Sequence, residues 1–171
     1  HRISTVKEYY FSKKMREITL LNKQNKNVIN LGIGSPDLSP DDSIIESLIS
    51  SAQNPKNHSY QSYKGITELR SVISNWYKSI YNVDLDADKE VLPLLGSKEG
   101  IMHISMTYIN PGDEVLIPDP GYPTYVAATN LAGGKVVKYK LEENEEWHPS
   151  IESLEALITE KTKLIWINYP N

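Results

Sequence analysis

Gly96, Ser97 and Lys98 follow an apolar run, Val91 to Leu95, and open a stretch of helical periodicity. The first amides of a helix have no intrahelical acceptor, and their dipoles sum to a partial positive charge. Gly96 lets the backbone approach a ligand closely, and the Ser97 hydroxyl adds a donor beside those amides. At the carboxyl end of a strand, where open α/β sheets place their ligands, this combination suits a phosphate. The same residues also serve as an ordinary strand-to-helix turn, and the motif alone leaves both readings open. The Lys98 ammonium is read as solvated.

Two further turns carry candidate chemistry. In "PDPGYPTY", 118–125, prolines stiffen the chain around Tyr122 at the end of another apolar run. That suits a ring held flat against a planar ligand, or simply a proline-rich connector. In "LGIGSPD", 31–37, Gly34 has no side chain, so its amide can approach a carboxylate; a plain tight turn is the alternative. The dinucleotide fingerprint is absent, because a third glycine is missing and Pro36 stands where a helix would start.

Other chemistries find little support. Cysteine is absent, so disulfides, thiolate metal sites and Cys nucleophiles are unavailable. His1, His58, His103 and His148 are scattered without carboxylates at ligand spacing, and no metal site is expected. There is no G-x-S-x-G elbow. Glu99 and "EENEE" read as solvated charge. A net charge of −4 gives no reason to expect nucleic acid or an acidic membrane as partner. No apolar span is long enough to cross a bilayer, and the start of the chain lacks a signal-peptide core, so the expected location is cytoplasmic.

The elements that must position these turns follow from periodicity. Thr5 to Asn22 reads as an amphipathic arm helix. "VINLGIGSPD" reads as a strand entering a turn, and "SPDDSIIESLIS" as a helix capped by Ser39 with Pro40 at its first position. A long polar loop, 52–65, precedes a helix over Thr67–Tyr81 with Leu69, Val72, Ile73, Trp76 and Ile80 on one face. From Val91 the rhythm is regular. Strand "VLPLL", helix Ser97–Tyr108, strand "EVLIP", helix Thr124–Leu131, strand "KVVKYKL", helix "SIESLEALI" and strand "KLIWIN" alternate with short turns. This is the pattern of parallel βα units with helices covering a sheet. The chain then stops just after a strand, which reads as a break inside a domain.

The order and spacing of the motifs carry a resemblance. "INLGIGSPD", "YQSYKGITELR", "GSKEG", "NPGDEVLIPDPGYPTY" and "NYPN" together resemble the class I/II aminotransferases, enzymes of fold type I that use pyridoxal 5′-phosphate (PLP). Within that family, "NHSYQSYKGITELR" and "GSKEGIMHI" look most like the branch containing alanine and LL-diaminopimelate aminotransferases. The resemblance implies a three-layer α/β/α large domain, incomplete here, with an N-terminal helical arm. Residues 1–45 would form the arm and the start of a small domain. Residues 46–171 would be the first part of the PLP-binding large domain, cut before the Schiff-base lysine.

The same resemblance assigns roles. Gly96, Ser97 and Lys98 would hold the cofactor phosphate, Tyr122 would stack on the pyridine ring, and Gly34 would offer its amide to the substrate α-carboxylate. Tyr60, five residues before Gly65, would reach the phosphate of a neighbouring subunit's cofactor, which implies a homodimer with shared active sites. The asparagine at the ring hydroxyl would be Asn171 or the residue after it, and "NYPN" favours the latter. The Schiff-base lysine, the aspartate on the ring nitrogen and the carboxylate-binding arginine lie downstream in relatives. The expected activity of the complete protein is transfer of an amino group from an amino acid to a 2-oxo acid, with the 171-residue chain alone inactive. Two alternatives share the fold: a PLP-dependent C–S lyase and a non-catalytic PLP-binding regulatory module.

Overall fold

The computed structural model describes Ser4 and residues 8–169. They fall into two compact units, one spanning Tyr10–Pro93 and the other comprising His1–Tyr9 with Leu94–Asn171.

The Tyr10–Pro93 unit is helical. Helix α1 runs Tyr10–Lys23; Thr5, where the arm helix was expected to begin, lies outside the described residues. The segment after it is not the expected strand. The Val28 N–H donates to the Asn22 side chain (2.6 Å), which also donates back to the Val28 carbonyl (3.2 Å), so a side chain replaces a ladder. Helix α2, Asp42–Gln53, is capped by Asp41 and not by Ser39: the Asp41 carboxylate accepts the Ser43 N–H at 2.9 Å. That interaction also holds the Asp41 carboxyl below the usual range, the Ser43 hydroxyl contributing most. A short 3₁₀ turn, Pro55–His58, leads into the loop that carries Tyr60. Helix α3 spans Thr67–Tyr81 as its periodicity predicts and ends on Asn82 in the left-handed region. Its predicted apolar face is largely uncovered, with Leu69, Val72, Trp76 and Ile80 exposed. The buried residue of α3 is Arg70.

The second unit is a three-layer α/β/α assembly, as expected. Helix α4 (Ser97–Tyr108), strand β1 (Glu114–Asp119), helix α5 (Pro123–Ala132), strand β2 (Lys135–Lys140), helix α6 (Ile151–Leu157) and strand β3 (Thr162–Ile165) follow in order. All pairings are parallel, and the strand order is β2-β1-β3. The chain crosses from β1 to β2 through α5 and returns past β1 to β3 through α6, the topology that parallel sheets require.

Central strand β1 explains the layering. Its side chains alternate between faces. Val115 and Ile117 join Ile101 and Ile109 with Tyr125, Ala128 and Ala132 of α5 on one face. Leu116 joins Tyr139 and Leu141 on the other, against Leu154 and Leu157 of α6. Being covered on both faces, β1 is buried from Glu114 to Pro118, and after Glu114 its residues Val115 to Pro118 read as an unbroken apolar run rather than an alternating one.

The run Val91–Leu95 is a correction: it forms no strand, and Leu92, Leu94 and Leu95 are exposed. A strand exists only with a hydrogen-bonded neighbour. This segment has none among the described residues, and Pro93 in its middle lacks an N–H to offer.

Candidate functional site

Helix α4 starts abruptly. Gly96 is its N-cap, with φ +103° and ψ 159°, a conformation that side-chain-bearing residues rarely adopt, and its side chain-free face meets nothing within 4 Å. No side chain caps the helix. Among the described residues the backbone N–H groups of Gly96, Ser97 and Lys98 have no acceptor, whereas Glu99 N–H bonds the Gly96 carbonyl at 3.2 Å. Three exposed donors at the positive end of a twelve-residue helix are thus left for an anion. The turn is held from behind. The Glu99 carboxylate, expected to be plain solvated charge, accepts the Leu95 N–H at 2.6 Å. Gly100 packs so closely on Leu94 that a Cβ there would lie 2.6 Å from its side chain.

Tyr122 stands at the end of β1 as the N-cap residue of α5, with Pro123 in the first helical position. Its ring meets Tyr125 edge-on at 5.8 Å, and Tyr125 stacks on Trp166 at 5.1 Å and 16°. The result is an aromatic row running from the carboxyl end of β1 to the end of β3. Tyr125 is buried, and that burial raises its phenol pKa. The Tyr122 phenol is instead held below its ordinary value, by the Thr124 hydroxyl first and by the Lys98 side chain after it.

Lys98 joins the two elements. Its Nζ lies 5.7 Å from the centre of the Tyr122 ring and 5.2 Å from that of Tyr9, within cation–π range of both. Gly96, Ser97, Lys98 and Tyr122 are therefore gathered at one end of the sheet, where the strands of a parallel sheet present their carboxyl termini.

The other expected residues stand apart. Gly34 is exposed in the Tyr10–Pro93 unit, with nothing within 4 Å of the place a Cβ would take. Tyr60 belongs to the same unit, and its ring is fully exposed. Asn171 lies outside the described residues. Sequence reasoning missed Tyr9, Tyr125, Trp166 and the backward reach of Glu99. The i, i+3 spacing of Tyr122 and Tyr125 inside "PDPGYPTY" was a usable signal for the second ring. Tyr9 and Trp166 meet the site only through tertiary packing. No group of three His, Cys, Asp or Glu that could hold a metal ion exists among the described residues.

The cradle's chemistry fits a phosphate monoester: three free amides, a hydroxyl beside them, an open approach at Gly96 and an aromatic ring nearby. The family model described as aminotransferase class I and II matches residues 26–171. An LL-diaminopimelate aminotransferase of Halothermothrix orenii is 45% identical over 170 residues, 99% of this chain and 44% of that protein. The aspartate aminotransferase of Thermotoga maritima superposes with a TM-score of 0.90 at 31% identity, over 100% of this chain and 45% of its own. An alanine aminotransferase of Pyrococcus furiosus does so with a TM-score of 0.89 at 32% identity, over 99% of this chain and 44% of its own. The chain thus spans less than half the length of the relatives it matches.

Proposed function

The chain belongs to the class I and II aminotransferases, a PLP-dependent family, and we propose that it forms the front part of an enzyme moving an amino group from an amino acid to a 2-oxo acid. The observation that carries this reading is the uncapped start of α4, with its three unengaged amides, beside the Tyr122 ring.

The roles divide by chemistry. The amides of Gly96, Ser97 and Lys98, with the Ser97 hydroxyl, hold the PLP phosphate, and the helix dipole offsets its charge. Tyr122, stiffened by Pro123 and braced by Tyr125, lies against the pyridine ring. When bound, PLP supplies the electron sink that stabilises negative charge at the substrate Cα. The protein fixes orientation: Gly34 offers its amide to the α-carboxylate, and Tyr60 gives its phenol to the phosphate in a partner subunit. The exposure of both in a single chain supports these assignments. A homodimer with shared sites follows from the Tyr60 role. Asn171 or the residue after it touches the ring hydroxyl. A domain division at residues 45/46 and a cytoplasmic location complete the reading; no helix among the described residues is long and apolar enough to cross a membrane.

The backbone of Lys98 serves the phosphate, while its ammonium, beside the Tyr9 and Tyr122 rings, places a cation next to the site. A cation beside the site suits an amino acid with a second carboxylate. LL-Diaminopimelate, the compound in the name of the Halothermothrix orenii relative, carries one. We therefore take it as the amino donor.

The test uses the complete polypeptide loaded with PLP and offered LL-diaminopimelate with a range of 2-oxo acids. Appearance of the new amino acid matched to the 2-oxo acid supports the proposal. Thiol release from sulfur amino acids without amino transfer would support a C–S lyase instead. Tight PLP binding with neither reaction would support a regulatory module.

A further inference from the structure

Arg70 is buried, although arginine seldom is. Its guanidinium donates to the carbonyls of Lys64 (3.4 Å), Gly65 (2.6 Å) and Ala87 (3.0 Å), to the Thr67 hydroxyl (3.3 Å) and to the Asp88 carboxylate (2.7 Å). Asp88 supplies the counter-charge that a desolvated cation needs, and the carbonyls occupy the rest of the fork. Thr67 is in the same helix; the other acceptors lie in two segments, 64–65 and 87–88.

The second segment is the anchor. The Ser74 hydroxyl of α3 donates to the Leu85 carbonyl at 2.6 Å, and the N–H of Asp86 bonds the Glu90 carboxylate at 2.7 Å. The Asp86 carboxylate in turn accepts the N–H of Asp88 at 2.9 Å. The first segment closes the loop that carries Tyr60. That loop has internal bonds, from Gly65 N–H to the Ser62 carbonyl (2.8 Å) and from Lys64 N–H to the Ser62 hydroxyl (3.2 Å). They shape the turn without fixing it to a helix. Gly65 itself sits at φ +80° with Pro93 against it, so its carbonyl direction is set by the backbone and read by Arg70.

We propose that Arg70 is a positioning residue for Tyr60: by gripping the Lys64 and Gly65 carbonyls from α3, it holds the loop so that the exposed phenol is a preformed donor to the cofactor phosphate. The proposal rests on the reading of Tyr60 as a phosphate ligand. Arginine suits the task and lysine does not, because only a planar fork can bond carbonyls and a carboxylate on several sides at once.

The experiment measures PLP dissociation constants spectroscopically for the full-length protein, Tyr60→Phe, Arg70→Lys and the double variant, together with amide exchange over residues 59–66. A phenol bonded to a charged phosphate is worth roughly tenfold or more in affinity. Tyr60→Phe and Arg70→Lys should each lose about that factor, and the double variant should lose no more than Tyr60→Phe alone. Amides of 59–66 should exchange faster in Arg70→Lys and not in Tyr60→Phe. If Tyr60→Phe binds PLP like the parent, the phosphate-ligand reading fails and takes this inference with it. If Tyr60→Phe weakens binding but Arg70→Lys does not, or the two losses multiply, Arg70 is structural only and the inference alone is overturned. Should Arg70→Lys not fold, Asp88→Asn is measured the same way. It should lose about threefold in the parent background, by loosening a charged hydrogen bond, and nothing in the Tyr60→Phe background.

Discussion

The Lys98 ammonium lies 5.7 Å from the centre of the Tyr122 ring, although the two stand 24 positions apart in the chain. The contact brings the uncapped start of α4 beside the aromatic ring at the end of β1. It also divides Lys98 into two parts, with its amide among the free donors of the helix start and its ammonium facing the ring.

Replacing Lys98 with Met separates those parts. The backbone donors remain, so PLP affinity should change by less than about twofold, while KM for LL-diaminopimelate rises about tenfold through loss of a charge-assisted contact. The Tyr122 phenol should move back towards its ordinary value, though less than in Thr124→Val, because the Thr124 hydroxyl is the larger cause of its depression. Steady-state kinetics and a tyrosinate absorbance titration, each referenced to Tyr122→Phe, check both points. An unchanged KM would remove the ammonium from substrate binding.

Tyr122→Ala should weaken PLP more than it destabilises the protein. Tyr122 is half-buried and its neighbours Tyr125 and Trp166 keep their own stack. Loss of one aromatic partner is worth about 1 kcal/mol to the ligand, or about fivefold in affinity. Equal PLP affinity in this variant, measured by cofactor absorbance, would end the stacking role.

Gly96→Ala isolates the backbone. There is room for a methyl group, since nothing lies within 4 Å, but φ +103° is unfavourable for any residue with a Cβ. The variant should lose about 1–2 kcal/mol of stability by urea unfolding if it keeps the turn. If it relaxes the turn instead, stability returns and PLP affinity falls. Loss of neither would show that the positive φ is unimportant.

Tyr139 offers a test of the fold apart from the site. Its phenol is buried, donates to the Trp166 carbonyl at 2.6 Å, and is pushed up to about 12, chiefly by burial. A phenol raised above its unfolded value near 10 contributes stability that is fully present below about pH 10 and fades as the pH rises towards 12. Tyr139→Phe should therefore lose about 1 kcal/mol at pH 8 and essentially nothing at pH 11, read as the difference in urea midpoints. A constant difference would contradict the assignment.

Much of this was legible in the sequence because local signals agreed. The boundaries of α3 and α4 coincide with their periodicity, and the parallel βα rhythm after Gly96 marks the three strands that do pair. Expectation failed where a segment needed something outside itself. Val91–Leu95 has the composition of a strand but no ladder partner among the described residues, and at the start of 28–37 Val28 bonds the Asn22 side chain instead of a neighbouring strand. Ser39 lost the cap of α2 to Asp41 two residues on, a choice between good caps that sequence leaves open. At the site, Gly96, Ser97 and Tyr122 were readable because turn chemistry is local. Tyr9 above Lys98 and Trp166 beneath Tyr125 were not, since only tertiary packing brings them there.

The cradle at the start of α4 is most directly tested by a crystal structure of the complete protein with PLP bound. Phosphate oxygens about 3 Å from the backbone nitrogens of Ser97 and Lys98, with the pyridine ring lying over Tyr122, is the predicted result. A phosphate held elsewhere, with those amides facing water, would contradict it.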